Sequence, residues 1–153
     1  MNDLYAVERS TSIAAPPSAI FAHLVDLHRW PAWSPWEGLD ADMKRTYSGA
    51  DAGTGAVYEW SGNRKAGEGR MEIIEVVDPS RIAIALDFLK PFKSSSTTTF
   101  VLAEEGDSTR VTWTMTGPKT FMTRVMGLFK SMDALIGPDF EKGLAQLKTV
   151  TEP

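Results

Sequence analysis

Two arginines are the residues of this chain best placed to recognise a ligand by charge. Arg9 shares a strand face with Val7 and Ile13, and Arg45 shares one with Met43 and Tyr47, so period-2 alternation turns both toward the apolar side. A guanidinium in that position must meet a carboxylate, water, or an anionic or carbonyl-bearing ligand, because burying it unpaired is costly. Two readings follow. Each is a cavity cation that grips a ligand carboxylate through paired N–H donors, or each is held in an internal ion pair or sends its long stem back to solvent. Other candidates for chemistry are weaker. Glu59 lies between Tyr58 and Trp60, and Asp87 between Leu86 and Phe88, so inward aromatics leave both acids facing water and not converging as an acid/base pair. His23 and His28 are the only histidines and cannot by themselves supply a three-ligand zinc geometry. The chain has no cysteine, which excludes thiolate catalysis, disulfides and Cys-based metal sites. There is no Gly-x-Ser-x-Gly elbow for a serine nucleophile. The Gly49 to Gly55 run lacks a Gly-Lys-Ser/Thr ending and leads into a strand, so it reads as a hairpin loop and not a phosphate cradle. No metal and no cofactor is expected.

What remains is apolar recognition. Trp30, Trp33 and Trp36 recur at steps of three, spacing that either builds an aromatic cage or membrane-dipping edge, or plugs the end of a sheet with Trp30 and Trp33 beside the first helix. Seven methionines include Met43, Met71 and Met115 on inward strand positions and Met122, Met126 and Met132 on a helical stripe. Flexible thioethers suit a surface that repacks around variable apolar ligands, and they equally suit plain core filling.

The whole chain must position these groups. Its 153 residues, 42% hydrophobic and 24% charged, are ordinary for one globular domain spanning residues 1–153, with enough length for a full core. The net charge of -4 and the lack of a basic stripe argue against nucleic acid as a partner. No stretch approaches the roughly 20 apolar residues that cross a bilayer. Met1 to Ser10 carries Asp3 and Glu8 and no apolar signal core, so the expected address is cytoplasmic. No repeat or linker divides the sequence.

Alternation marks seven strands: residues 4 to 13, then Leu39 to Tyr47, Tyr58 to Trp60, 67 to 77, Ile82 to Phe88, Phe100 to Leu102 and Val111 to Met115. In residues 67 to 77 the apolar phase slips from Met71 and Ile73 to Ile74 and Val76, which predicts a bulge near Ile73. A short helix follows Pro17, carries Ile20, Phe21, Leu24 and Val25, and stops at Trp30-Pro31. A C-terminal stripe runs through Phe121, Met122, Val125, Met126, Phe129, Met132, Ile136, Phe140, Leu144 and Leu147. Gly137-Pro138 interrupts it, which predicts two helical segments or one kinked helix, and marks where a lid would need a hinge. The order predicts an α+β fold, a curved antiparallel sheet with one dry face that the terminal helix can cover, leaving room for a cavity.

Several segments also resemble a known family. Ile13-Ala14-Ala15-Pro16, Phe21, Asp26, Trp30, Trp33 and Pro35 are similar to the opening of the START/SRPBCC, or helix-grip, superfamily. Gly55 to Trp60, Gly69, Thr109 to Trp113 and Phe140 to Lys148 extend the match over almost the whole chain, closest to the polyketide cyclase/dehydratase-like branch. The resemblance implies a helix-grip fold, with a seven-stranded antiparallel sheet wrapped around a long C-terminal helix and short helices between strands one and two. It also implies a cavity for a small hydrophobic, lipid-like or polyketide-like molecule. The candidate wall is Tyr47, Tyr58, Trp60, Phe88, Thr98, Phe100, Trp113, Met115, Met126 and Leu144, with Arg9 and Arg45 as anchors. Two other readings stay open: a polyketide cyclase/dehydratase-type enzyme using general acid/base chemistry in the same cavity, and an interaction module like the superfamily's chaperone activators. Monomer and homodimer are both compatible with the sequence.

Overall fold

Strand alternation carries through to burial. In the last strand Thr109, Val111, Trp113, Met115 and Gly117 are buried and the residues between them are not, the pattern of a sheet with one dry face. The computed structural model describes residues 4–36, 42–63, 67–90, 93–118 and 132–152, apart from the side chains of Met132 and Leu135. Its strands are β1 (Leu4–Ile13), β2 (Lys44–Gly49), β3 (Ala56–Ser61), β4 (Glu68–Val77), β5 (Arg81–Lys90), β6 (Ser94–Glu105) and β7 (Ser108–Pro118). Helix α1 (Pro17–Val25) and a 3-10 helix (Leu27–Ala32) lie between β1 and β2, and α2 (Met132–Thr151) follows the sheet.

The strands form one antiparallel sheet in the order β1-β7-β6-β5-β4-β3-β2. Strands β2 to β7 meander, and β1 adds beside β7 with Val7 opposite Met115 and Ile13 opposite Thr109. This is the architecture expected from the order of elements. The bulge also falls where the apolar phase slips: the register shifts between Ile73 and Glu75, so Ile73 is fully buried, Ile74 turns outward and Val76 returns to the core. Strand β2 begins at Lys44, and Leu39 and Ala41 lie outside the described residues.

One helical expectation needs correction. Helix α1 stops at Val25, before Trp30-Pro31, because Asp26 is extended and its carboxylate accepts from the His28 amide at 3.0 Å, capping a separate 3-10 turn. Within that tighter helix Leu27 and Trp30 lie three residues apart on one buried side. The Trp30 indole N–H donates to the Leu24 carbonyl at 3.0 Å and that of Trp33 to the His23 carbonyl at 3.2 Å, pinning both rings to the end of α1. Gln146 of α2 donates to the Trp33 carbonyl at 2.8 Å and ties the turn to the helix.

Of the two forms expected at Gly137-Pro138, the described residues exclude the division into two segments: helix α2 runs through both residues as one element, with Pro138 exposed. The stripe from Phe121 to Phe129, including Met122 and Met126, lies outside the described residues. Gly137 serves a close approach: a Cβ at this position would collide with the guanidinium of Arg9.

Helix α2 packs on β1 and covers the dry face next to it. Its Phe140 ring stacks on Trp113 at a centroid distance of 4.0 Å with the planes 8° apart, and Trp33 meets the Trp113 edge at 5.6 Å. Phe140 is 1% exposed, so replacing it by Ala leaves a cavity that nothing nearby can fill. Phe140→Ala should lower stability by about 3–5 kcal/mol in urea denaturation. A loss under about 1 kcal/mol would mean that this stack does not hold the helix to the sheet.

Candidate functional site

The end of the sheet distant from Trp113 is built from aromatic residues that meet across strands. Tyr58 and Trp60 alternate onto the same face of β3, and Tyr47 of β2 lies directly opposite Tyr58. Their rings form a chain from the 3-10 helix across the sheet. His28 stacks on Tyr47 at 4.2 Å, Tyr47 meets Tyr58 at 5.1 Å, Tyr58 stacks on Trp60 at 5.9 Å, and Trp60 meets the edge of Phe88 on β5 at 5.6 Å. The 3-10 helix and its exit face this row, and between them lies a cavity of about 220 Å³.

Tyr47, Tyr58, Trp60, Met71, Leu86 and Phe88 form its sheet wall, with Met43 and Met115 at the margins. Leu27, Trp30, Pro31, Ser34 and Trp36 form the opposite side, and Ile136 of α2 closes one end. The lining is almost wholly apolar. Among the described residues its polar side-chain groups are the Ser34 hydroxyl, whose oxygen accepts from the Trp36 amide at 3.3 Å, the two tyrosine hydroxyls and the indole N–H groups. Trp30 has its own N–H already committed to Leu24. No charged side chain lines the cavity among the described residues.

Of the residues expected on the wall, the structure brings Tyr47, Tyr58, Trp60, Phe88 and Met115 together around this space. Thr98 and Phe100 of β6, Trp113 of β7 and Leu144 of α2 are buried in the core instead, where the rings of Trp33, Phe100, Trp113 and Phe140 pack on one another. Met126 lies outside the described residues. Residues that the sequence reading left off the wall come from two sources. Met71 and Leu86 were readable in principle, since they continue the cross-strand row Tyr58–Met71–Leu86. Leu27, Pro31, Ser34 and Ile136 depend on how separate elements approach one another, which no local pattern encodes.

Neither arginine reaches the cavity. Arg9 points at α2, where it binds Asp133 through both carboxylate oxygens at 2.7 and 2.9 Å and Glu141 at 2.9 Å. A further N–H donates to the Glu8 carbonyl at 2.8 Å. Asp133, Gly137 and Glu141 are spaced four apart, so they lie along one helix face and the guanidinium fits between the two acids over the glycine. Arg45 is exposed, since β2 is an edge strand and a long stem there reaches water. Glu59 is exposed, and Asp87 accepts from the Ser95 hydroxyl at 2.7 Å. The His28 ring nitrogen Nδ1 lies 2.9 Å from Asp26, and burial, aided by Arg29, holds His23 below the usual histidine range. No cluster of three metal-ligating side chains occurs among the described residues.

Residues 5–152 match the family described as polyketide cyclase / dehydrase and lipid transport. The chain belongs to that family. Protein CV1439 from Chromobacterium violaceum is similar over 97% of this chain and 98% of its own, at 16% identity and a TM-score of 0.68. The Aha1 dimer from Colwellia psychrerythraea matches over 97% and 96% at 15% identity and a TM-score of 0.67. Mll3558 from Rhizobium loti reaches 22% identity over 94% of this chain and 96% of its own, with a TM-score of 0.62. These likenesses give the polyketide cyclase / dehydrase and lipid transport family member its helix-grip fold. No curated protein matches the chain. Among the described residues no helix is long and apolar enough to cross a membrane.

The Arg9 contacts hold the Asp133 carboxyl below the usual aspartate range, chiefly through the hydrogen bonds from the guanidinium. A carboxyl whose pKa is lower folded than unfolded contributes stability that is complete above the unfolded pKa and is lost as pH falls through the folded one. Carbon-detected NMR titration should therefore place the Asp133 midpoint below an ordinary aspartate, and Arg9→Met should return it to about 3.9. An identical midpoint in the two proteins would show that the contact does not form in solution.

Proposed function

We propose that this protein binds a small apolar molecule in the cavity between the aromatic row of β2 to β5 and the 3-10 helix. The observation that carries this reading is the lining itself: aromatic, methionine and aliphatic side chains surround unfilled space beside the buried core. An apolar void costs stability when left empty, since the atoms around it lose dispersion contacts and burial. An apolar ligand restores both. Three thioethers on the wall, Met43, Met71 and Met115, adapt their shape to it at little strain. The family's description, which joins cyclase/dehydrase enzymes with lipid transport, supports a hydrophobic ligand in either case.

Binding is favoured over catalysis by the chemistry of the wall. No carboxylate or imidazole lines the cavity among the described residues, so acid/base work of the cyclase kind would fall to Tyr47 and Tyr58 alone. The interaction-module reading has support only from the fold shared with the Aha1 dimer.

Native mass spectrometry of freshly purified protein, with tryptophan emission titrations over aromatic and acyl ligands, tests the reading. A bound small molecule, or saturable quenching of emission, is the expected result. Met71→Trp should fill the space, lowering affinity at least tenfold while overpacking costs about 1–3 kcal/mol of stability. Equal binding by Met71→Trp and the unaltered chain would place the ligand elsewhere.

A further inference from the structure

The floor of the cavity contains a gap in the row of side chains. Gly69 on β4 lies between Trp60 on β3 and Phe88 on β5, directly opposite both in the strand registers. With no side chain at Gly69, the Trp60 indole lies over the glycine and its ring meets the Phe88 edge at 5.6 Å. A Cβ on Gly69 would collide with Cζ2 and Cη2, the outer atoms of the indole, and would also lie 2.6 Å from the Asp87 carbonyl oxygen. An aromatic ring covering a strand glycine is a recognised way to complete a sheet face. Here it also sets how far the wall projects, because the indole can lie flat only while position 69 is bare.

We propose that the Gly69–Trp60 pair is the size gate of the site, limiting the ligand to a compact planar molecule of one or two fused rings and excluding long acyl chains. The proposal rests on the binding reading above and specifies its ligand class. Volume and wall chemistry carry it together. An apolar cavity of about 150 Å³ holds benzene, so by simple proportion a 220 Å³ space holds about nine ligand heavy atoms. That is the size of indole or naphthalene, whereas a sixteen-carbon fatty acid has twice as many. The lining is made of rings whose faces and edges offer offset-stacked and edge-to-face contacts, worth about 0.5–1.5 kcal/mol beyond area burial for each aromatic pair. An acyl chain gains only the area term.

Isothermal titration calorimetry with phenol, 2-naphthol and palmitate tests this on the full chain. The unaltered protein should bind 2-naphthol at least tenfold more tightly than palmitate. Gly69→Ala should lift the indole into the cavity, lowering 2-naphthol affinity at least tenfold while phenol changes less than threefold. Adding Trp60→Phe to Gly69→Ala removes the outer ring atoms and should restore 2-naphthol binding to within threefold. Because the new Cβ also crowds the Asp87 carbonyl, Gly69→Ala can fail to fold; Trp60→Ala with Gly69 intact then decides, and should raise palmitate affinity at least tenfold. Palmitate binding as tightly as 2-naphthol to the unaltered chain overturns the size gate and leaves the binding reading standing. So does Gly69→Ala weakening phenol and 2-naphthol alike or neither, and so does Trp60→Ala without a gain for palmitate. Absence of binding by all three probes overturns both.

Discussion

Trp113 is the residue through which the two layers of this fold hold together. Its indole stacks on Phe140 of α2, meets Phe100 of β6 at 4.9 Å, and takes the edges of Trp33 and Trp36 from the segment after the 3-10 helix. Strand, neighbouring strand, connecting segment and terminal helix therefore share one aromatic centre. The approach is close enough that Gly143 must be a glycine, since a Cβ there would lie 2.8 Å from the indole and 2.9 Å from Pro35. Among the described residues the Trp113 ring N–H is buried without a hydrogen-bond partner. Such a group costs roughly 1–3 kcal/mol, and burial of so large a ring offsets it.

That centre divides the sheet into two regions with different fates. Helix α2 rests on β1 and its neighbours, where Val7, Phe100, Val111 and Leu147 complete a dense core. A seven-stranded sheet is wider than one helix can cover, given helix diameters of about 10–12 Å and strand spacings of about 4.8 Å. The strands beyond β5 therefore need another cover. The 3-10 helix supplies part of it, held by the two indole hydrogen bonds to α1 and by Gln146, and the cavity is the remaining mismatch between a curved sheet and a short rigid turn.

Local pattern made most of the sheet legible. Period-2 alternation marked the strands, and the phase slip at Ile73 and Ile74 located a bulge, because side-chain direction in a strand follows from backbone geometry alone. Helix ends were harder. Trp30-Pro31 reads as a stop, yet α1 has already ended where Asp26 turns extended, and the Asp26 side chain caps a separate 3-10 helix that carries Pro31 inside it. Gly137-Pro138 reads as a break for the same local reason, while the group that lies against the bare Gly137 is the guanidinium of Arg9, 128 positions earlier in the chain. The wall was half legible: alternation separates inward from outward residues but not cavity from core. Tyr58 and Trp113 have the same local signature, and only the placement of α2 decides which of them is covered.

The arginines show how that decision sets the chemistry of the site. Alternation turns Arg9 inward, and an inward cation would make the cavity a receptor for an anionic ligand. Helix α2 brings Asp133 and Glu141 to it instead, four donor contacts to two carboxylates and a carbonyl, so its hydrogen-bonding capacity is largely taken up within the fold. Arg45, on an edge strand, stays in water. With both charges placed outside, the described wall offers a ligand carboxylate no counter-ion, and transferring an ion into such a lining carries a desolvation cost that hydroxyl and indole donors repay only in part. The same ion pair that ties Arg9 to the terminal helix thereby leaves the described wall without that cation. A neutral ring, whose polar edge can turn toward Tyr47, Tyr58 or Ser34, meets no such cost.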